Sequence, residues 1–183
     1  MVNGQQRVAH RGLVVVLLLC GMFSVATSNA IAQDQEQSSL LGNIARQVVL
    51  DPTTYAPAVI AYDATVRDWK TSQPFFHNGF MEHNQRFTIS GRPNDVPVTY
   101  GEGQKRILAD AATNLGMSAL NNFTSRVFER MLIERYPDHR KVVKALSWVE
   151  RISFGVYMSY ALSKDHYRQA ELNATRAQQL GYR

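Results

Sequence analysis

The stretch 99-TYGEGQKRILADAATNLGMSALNNFTSRVFERMLIERYPDHRKVVKALSWVERISFGVYMSYALS-163 decides the fold. It opens on a capping box, with Thr99 at the cap and Glu102 reaching back. Leu108, Ala112, Leu115, Ala119, Phe123, Val127 and Met131 recur at helical spacing and predict the buried stripe of one long helix, to about Tyr136. Pro137 ends it. Asp138 is placed to cap the next helix, which carries Val142, Val143, Leu146, Val149, Ile152, Val156 and Tyr160. The turn at 136–139 is short, so the two helices fold back as an antiparallel hairpin. Small residues one turn apart, Ala112 and Gly116 on the first helix and Gly155, Ser159 and Ser163 on the second, suit close packing. Glu150 and Arg151 interrupt the run from Ser147 to Ser163, and its uncharged remainder is too short for a membrane span. This helix is therefore expected at the centre of the domain.

Outward from the hairpin, Lys164 to Leu180 reads as a separate polar helix with a narrow Tyr167, Ala170, Ala174, Ala177 stripe, closed by Gly181. Before the hairpin, Leu40, Leu41, Ile44, Val48 and Val49 mark a short amphipathic helix over 40–50. Asp51 and Pro52 combine an N-cap with a first-position proline. Residues 58–71 then look helical, with Val59, Tyr62, Val66 and Trp69 along one side. Residues 72–100 break the pattern at Pro74, Gly79, Gly91, Pro93 and Pro97. Within them, Phe87 and Ile89, then Val96, Val98 and Tyr100, alternate with polar residues around the turn formers 91–95. That predicts a small β-hairpin, which Pro97 confines to an edge. The expected fold class is mainly α: a long antiparallel helical hairpin, flanking shorter helices, and a small β-hairpin in an irregular cap segment.

Residues 1–32 read as a secretory signal peptide. Arg7, His10 and Arg11 make a basic start, Leu13 to Ala26 an apolar run, and Ala30-Ile31-Ala32 a small-residue cleavage site before Gln33. The run falls short of the roughly 20 residues of a spanning helix. Cys20 is preceded by Leu19, where lipid attachment requires a small residue. Residues 33–39 are expected as a disordered lead-in and 40–183 as a single helical domain. Cleavage would leave 151 of the 183 residues and no cysteine, which excludes disulfides, a thiol nucleophile and thiolate metal sites. It also removes Arg7 and Arg11 from the 20 basic residues, leaving 18 against 15 acidic, a net +3. That is too thin a charge for a nucleic-acid binder, so no nucleic-acid partner is expected.

Chemistry could reside in three places. The 72–100 segment gathers His77, Glu82, His83, Asn84, Arg86, Arg92 and Asp95 among Phe75, Phe76, Phe80, Phe87 and Tyr100. Polar groups beside an apolar lining suit a ligand site, and ordered long loops often carry function. The competing reading is that the aromatics plug the segment onto the helices while the polar groups satisfy its backbone. His77, Glu82 and His83 offer donors for zinc or iron, but their spacing matches no metal motif. Second, Glu150 and Arg151 need partners in an apolar helix, and counting from the turn sets Arg126 and Arg130 near Glu150 and Glu129 near Arg151. On that placement, Glu150→Ala should destabilise the fold. Third, Arg135, Arg140, Lys141 and Lys144 gather at the hairpin tip, where they could contact anionic headgroups or remain simply solvated.

No GxSxG, phosphate-loop or EF-hand pattern occurs, and no cofactor is implied. The glycosylation triplets at Asn122 and Asn173 fall inside predicted helices. The runs Trp69 to Phe76, Glu82-His83-Asn84, Phe87 to Asp95 and Arg135 to Lys141 resemble those of a group of uncharacterised exported bacterial helical proteins. That resemblance implies export and a bacterial source, and carries no activity, cofactor or ligand residue. The reading is a non-catalytic envelope protein, periplasmic or at the cell surface, acting as a binding or scaffolding module. Its competitors are a periplasmic enzyme using the His/Glu group of 72–100, and a peripheral membrane protein docking by its basic tip.

Overall fold

The computed structural model describes residues 33–182, with side chains from residue 40, so the expected signal peptide lies outside the described residues. The chain divides into two units between Leu41 and Gly42. Of the first, only the opening of one helix is described, and all packing below belongs to the second. Helix α1 spans Gln33–Val49, α2 Pro52–His77, α3 Tyr100–Arg135 and α4 Arg140–Leu180. The segment 33–39, expected as a disordered lead-in, is drawn into α1.

The caps form where local chemistry calls for them. Asp51 Oδ1 accepts from the Thr53 amide (3.1 Å) and hydroxyl (2.7 Å), and Pro52 follows at a position that needs no donor. The Thr99 hydroxyl accepts from the Glu102 amide (3.3 Å). Gly181 ends α4 at φ 70°, a left-handed value glycine takes without penalty. Asp138 does not cap α4. A short 3-10 turn, Pro137–His139, leads in, and no side chain caps the helix that follows.

Helix α2 starts earlier and ends later than expected, running through Pro57 and Pro74 to His77. Pro57 cannot donate to the Thr53 carbonyl, yet α4 shelters that turn: a methyl at Gly155 would stand 3.8 Å from this same oxygen. The irregular segment therefore shrinks to 78–99, and the expected β-hairpin is not there. Two isolated antiparallel bridges, Glu82 with Asp95 and Thr88 with Pro97, are all the pairing among the described residues. Pro97 has no N–H to extend the ladder, and 85–87 coils into a 3-10 turn instead of an extended strand.

Helix α4 is continuous, where a central helix and a separate final one were expected. No glycine or proline interrupts 156–180. The Ser159 and Ser163 hydroxyls bond back to the carbonyls of Gly155 (2.7 Å) and Ser159 (2.6 Å) without breaking it. Helix α2 packs mainly along α4, and less along α3.

The buried faces follow the expected apolar stripes only in part: Ile44, Val48, Trp69, Ala170 and Ala177 are inside as expected, and Leu115, Ala119, Phe123 and Val127 are half-buried. On α2, Thr54, Pro57, Ala58, Ala61, Ala64 and Trp69 point inward, while Val59 and Tyr62 are exposed. On α3 the interior holds Gly103, Ile107, Ser118 and Asn122, and Leu108, Ala112, Gly116 and Met131 face out. On α4 it holds Arg151, Gly155, Ser163, Ala170 and Ala177, with Val142, Leu146, Val149, Val156 and Tyr160 outside. Small and hydroxyl-bearing side chains let three backbones approach closely, and the larger apolar groups turn away. One cluster of larger apolar groups lies at the loop end, where Trp69 stacks on Phe87 at 5.1 Å, beside Val98 and Ile107, and Ile44 and Val48 of α1 are buried outside it.

Candidate functional site

Beneath the 78–87 loop, a cleft of about 420 Å³ opens along the α2–α4 seam. Its apolar wall is Trp69, Phe75, Phe76, Phe80 and Phe87. Its polar wall is built from two helices and the loop: Asp68 and Ser72 from α2, His166 and Asn173 from α4, Glu82 and His83 from the loop. The polar groups of the seam are mutually fixed. His166 Nδ1 lies 2.7 Å from Asp68 Oδ2. Asn173 Nδ2 donates to Ser72 Oγ (3.0 Å) and more weakly to Asp68 Oδ1 (3.4 Å). This holds His166 in one ring orientation, with its other nitrogen left for a partner.

Glu82 is tied to the loop by its backbone, which exchanges bonds with Asp95 (2.9 and 3.1 Å), and its carboxylate accepts from the Asn84 amide (2.6 Å). Burial pushes its carboxyl above the usual range, and the nearby Asp68 charge adds to that. His83 meets Asn94 Oδ1 at 2.7 Å.

Of the seven residues singled out in 72–100, Glu82, His83 and Asn84 reach the cleft. His77 is exposed at the end of α2 and does not line the cleft. Arg86 turns to α3, where its Nε donates to Asp110 (3.1 Å). Arg92 sits on the exposed turn, its carbonyl accepting from Thr88 (2.8 Å). Asp95 serves through its backbone, and a hydrogen bond from Ser90 holds its carboxyl below the ordinary range. His77, Glu82 and His83 do not assemble as metal ligands: among the described residues, no three His, Cys, Asp or Glu converge to hold an ion. Asp68, Ser72, His166 and Asn173 carried no sequence signal, because the pair His166–Asp68 joins positions 98 residues apart.

The second group is a buried ionic centre at the other end of α2. Arg126 Nη2 donates to Asp51 Oδ2 (2.7 Å), and Arg151 Nη1 donates to Ser147 (2.7 Å) and to Glu129 (3.2 Å). Arg151 Nε lies 3.3 Å from Asp51 Oδ2 but is not aligned for a hydrogen bond. Two cations face two carboxylates, so the centre is neutral. Burial pulls the Asp51 carboxyl up, but the Thr53 and Arg126 hydrogen bonds outweigh it and hold the group below its ordinary range. Beside it, buried Asn122 donates to the hydroxyls of Thr53 (2.9 Å) and Thr54 (2.8 Å).

This centre meets the expectation for Arg151 with Glu129 and corrects the rest. Glu150 is exposed and accepts only from Asn121 (3.2 Å), so neither Arg126 nor Arg130 pairs with it. Arg130 bonds Glu134 on its own helix (2.9 Å). The partner of Arg126 was missed because Asp51 looked fully employed as a cap, whereas its second oxygen was free. Arg135, Arg140, Lys141 and Lys144 are exposed at the hairpin tip. No helix among the described residues is long and apolar enough to cross a membrane. No family model, curated protein or solved structure matches the chain.

Proposed function

We propose that this is an exported, non-catalytic binding module whose ligand occupies the cleft between the 78–87 loop and the α2–α4 seam. The observation that carries the reading is the make-up of that cleft. Its volume falls within the roughly 300–1,000 Å³ of small-molecule sites, and one aromatic wall faces a few oriented polar groups. Two carboxylates, Asp68 and Glu82, line it with His166. They suit a small ligand with a flat apolar body and a protonated amine or other donor at one end. Binding is favoured over turnover because Ser72, the hydroxyl of this network, donates to the Asp68 backbone carbonyl (2.9 Å) and accepts from Asn173, and is not hydrogen-bonded to His166.

Trp69 lies at the cleft and Trp148 is exposed on α4. In a Trp148→Phe variant, emission therefore reports the cleft alone. A panel of aromatic amines and neutral isosteres should yield ligands that raise Tm and change Trp69 emission, with both effects lost in His166→Ala. A panel that moves neither quantity would sink the reading. Export is tested by fractionating the host. A mature chain beginning at Gln33, outside the cytoplasm, is expected. An intact chain beginning at Met1 and confined to the cytoplasm would overturn it.

A further inference from the structure

We infer, resting on the binding role proposed for the cleft, that its ligand is a short peptide with free ends, the ammonium held at Asp68 and Glu82 and the carboxylate at Arg176. On α4, His166, Gln169, Asn173 and Arg176 all line the cleft, at steps of three, four and three residues. That spacing keeps the four on one face of the helix, in a row along the cleft.

The row carries opposite charges at different levels. Asp68 reaches both His166 (2.7 Å) and Asn173 (3.4 Å), so its carboxylate sits between those two positions. Glu82 is near enough for the Asp68 charge to act on its carboxyl. Arg176 stands one turn past Asn173, about 10 Å along α4 from the level of Asp68 at 1.5 Å per residue. It is exposed and has no ion pair among the described residues. Gln169 Nε2 donates to Asn173 Oδ1 (2.9 Å), and Asn173 Nδ2 donates to Ser72 Oγ (3.0 Å). These bonds fix both amides and leave Gln169 Oε1 as an acceptor without a donor among the described residues. Carboxylates, an amide acceptor and a guanidinium match an ammonium, a backbone N–H and a carboxylate.

Length and shape narrow the class. An extended chain advances about 3.3–3.6 Å per residue, so a tripeptide carries its two charges about 10 Å apart. A single amino acid carries them only about 3 Å apart, and a simple amine leaves Arg176 without a counter-charge. The apolar wall offers ring surface for one aromatic side chain: Phe76 is half-buried and Phe80 is 45% exposed. Edge contacts with Phe75 (5.6 Å) and Tyr182 (6.2 Å) hold the Phe80 ring in place.

The test is calorimetric titration of the protein purified from its host with four probes: Ala-Phe-Ala with free ends, its C-terminal amide, free phenylalanine and 2-phenylethylamine. The free tripeptide should bind most tightly. Its amide should bind about two- to five-fold more weakly, the size of effect an exposed cation such as Arg176 supports. Arg176→Gln should weaken the free tripeptide by the same factor, spare the amide and leave Tm unchanged. Equal binding of acid and amide would overturn the inference, as would phenylalanine binding as tightly as the tripeptide, or an Arg176→Gln variant that weakens acid and amide alike. Binding of 2-phenylethylamine without any of the tripeptide would overturn it too, and leave the amine-binding cleft standing. Binding of no probe at all would remove both.

Discussion

The two ends of α2 are held by opposite means. At its N-terminus, charges and hydroxyls meet: Asp51 with Arg126 and Arg151, and Asn122 with Thr53 and Thr54. At its C-terminal half, shape decides. Trp69 is 4% exposed, stacks on Phe87, and lies so close over Gly103 that a methyl there would overlap the indole. Its Nε1 donates to the Tyr100 carbonyl at 3.1 Å, so the ring is fixed in orientation as well as depth. The ionic end is directional and sensitive to which partner is lost. The aromatic end is sensitive to volume. Between them lie Ala58, Ala61 and Ala64, which set spacing but bury little area.

The largest expected effect breaks the ionic end. Asp51→Ala removes a cap and leaves two mostly buried guanidinium groups short of a carboxylate, so a loss of about 3–5 kcal/mol is expected in urea unfolding. The double change Arg151→Met with Glu129→Leu removes a pair together and should cost much less than Asp51→Ala. At the aromatic end, Gly103→Ala should cost about 1–3 kcal/mol by overpacking, with a change in Trp69 emission that Asp51→Ala does not produce. Equal emission changes in both variants would show that the ends are not independent.

Acidity should separate the ends further. The Asp51 carboxyl is depressed below 3.8, so the stability it contributes is present above that value and is lost as pH falls through its folded pKa. The Glu82 carboxyl is raised above 4.5, so its contribution has the opposite sign: present below 4.5 and lost as pH rises through its folded pKa. Asp51→Asn should flatten the acid limb of a Tm profile. Glu82→Gln should leave Tm at pH 7 unchanged or slightly higher. A lower Tm for Glu82→Gln would mean that its charge supports the loop. The smallest effect is expected for Glu150→Ala, within about 0.5 kcal/mol, because this carboxylate is exposed and lies outside the ionic centre.

The caps at Asp51, Thr99 and Gly181 were legible because a cap is chemistry among residues two or three positions apart. The α3–α4 hairpin was legible from its capping box and Pro137. The sense of the packing was legible only in part, at Ile44, Val48, Trp69, Gly155, Ser163, Ala170 and Ala177. An apolar three–four stripe looks the same whether it faces its own core or lies unpaired, and here Val142, Leu146 and Val156 are outside while Arg151 and Ser163 are inside. The inward face of α4 is the one marked by small residues: Gly155, Ser159 and Ser163, which the spacing assigns to close packing, continue through Ala170 and Ala177. Half of the candidate site was legible. The loop contributed Glu82, His83 and Asn84, but the seam that completes it joins residues about a hundred positions apart, which no local pattern can register.

That separation also orders events during synthesis. Asp63 waits for Tyr167, and Asp68 waits for His166 and Asn173, so α2 cannot complete its main contact until nearly the whole chain has been made. The α3–α4 hairpin closes early, through contacts about 20 to 30 residues apart, and then awaits α2 and the end of α4. A C-terminal truncation would therefore leave α2 without its principal seam, while its contacts with α3 at Asp51 and Trp69 remain in place.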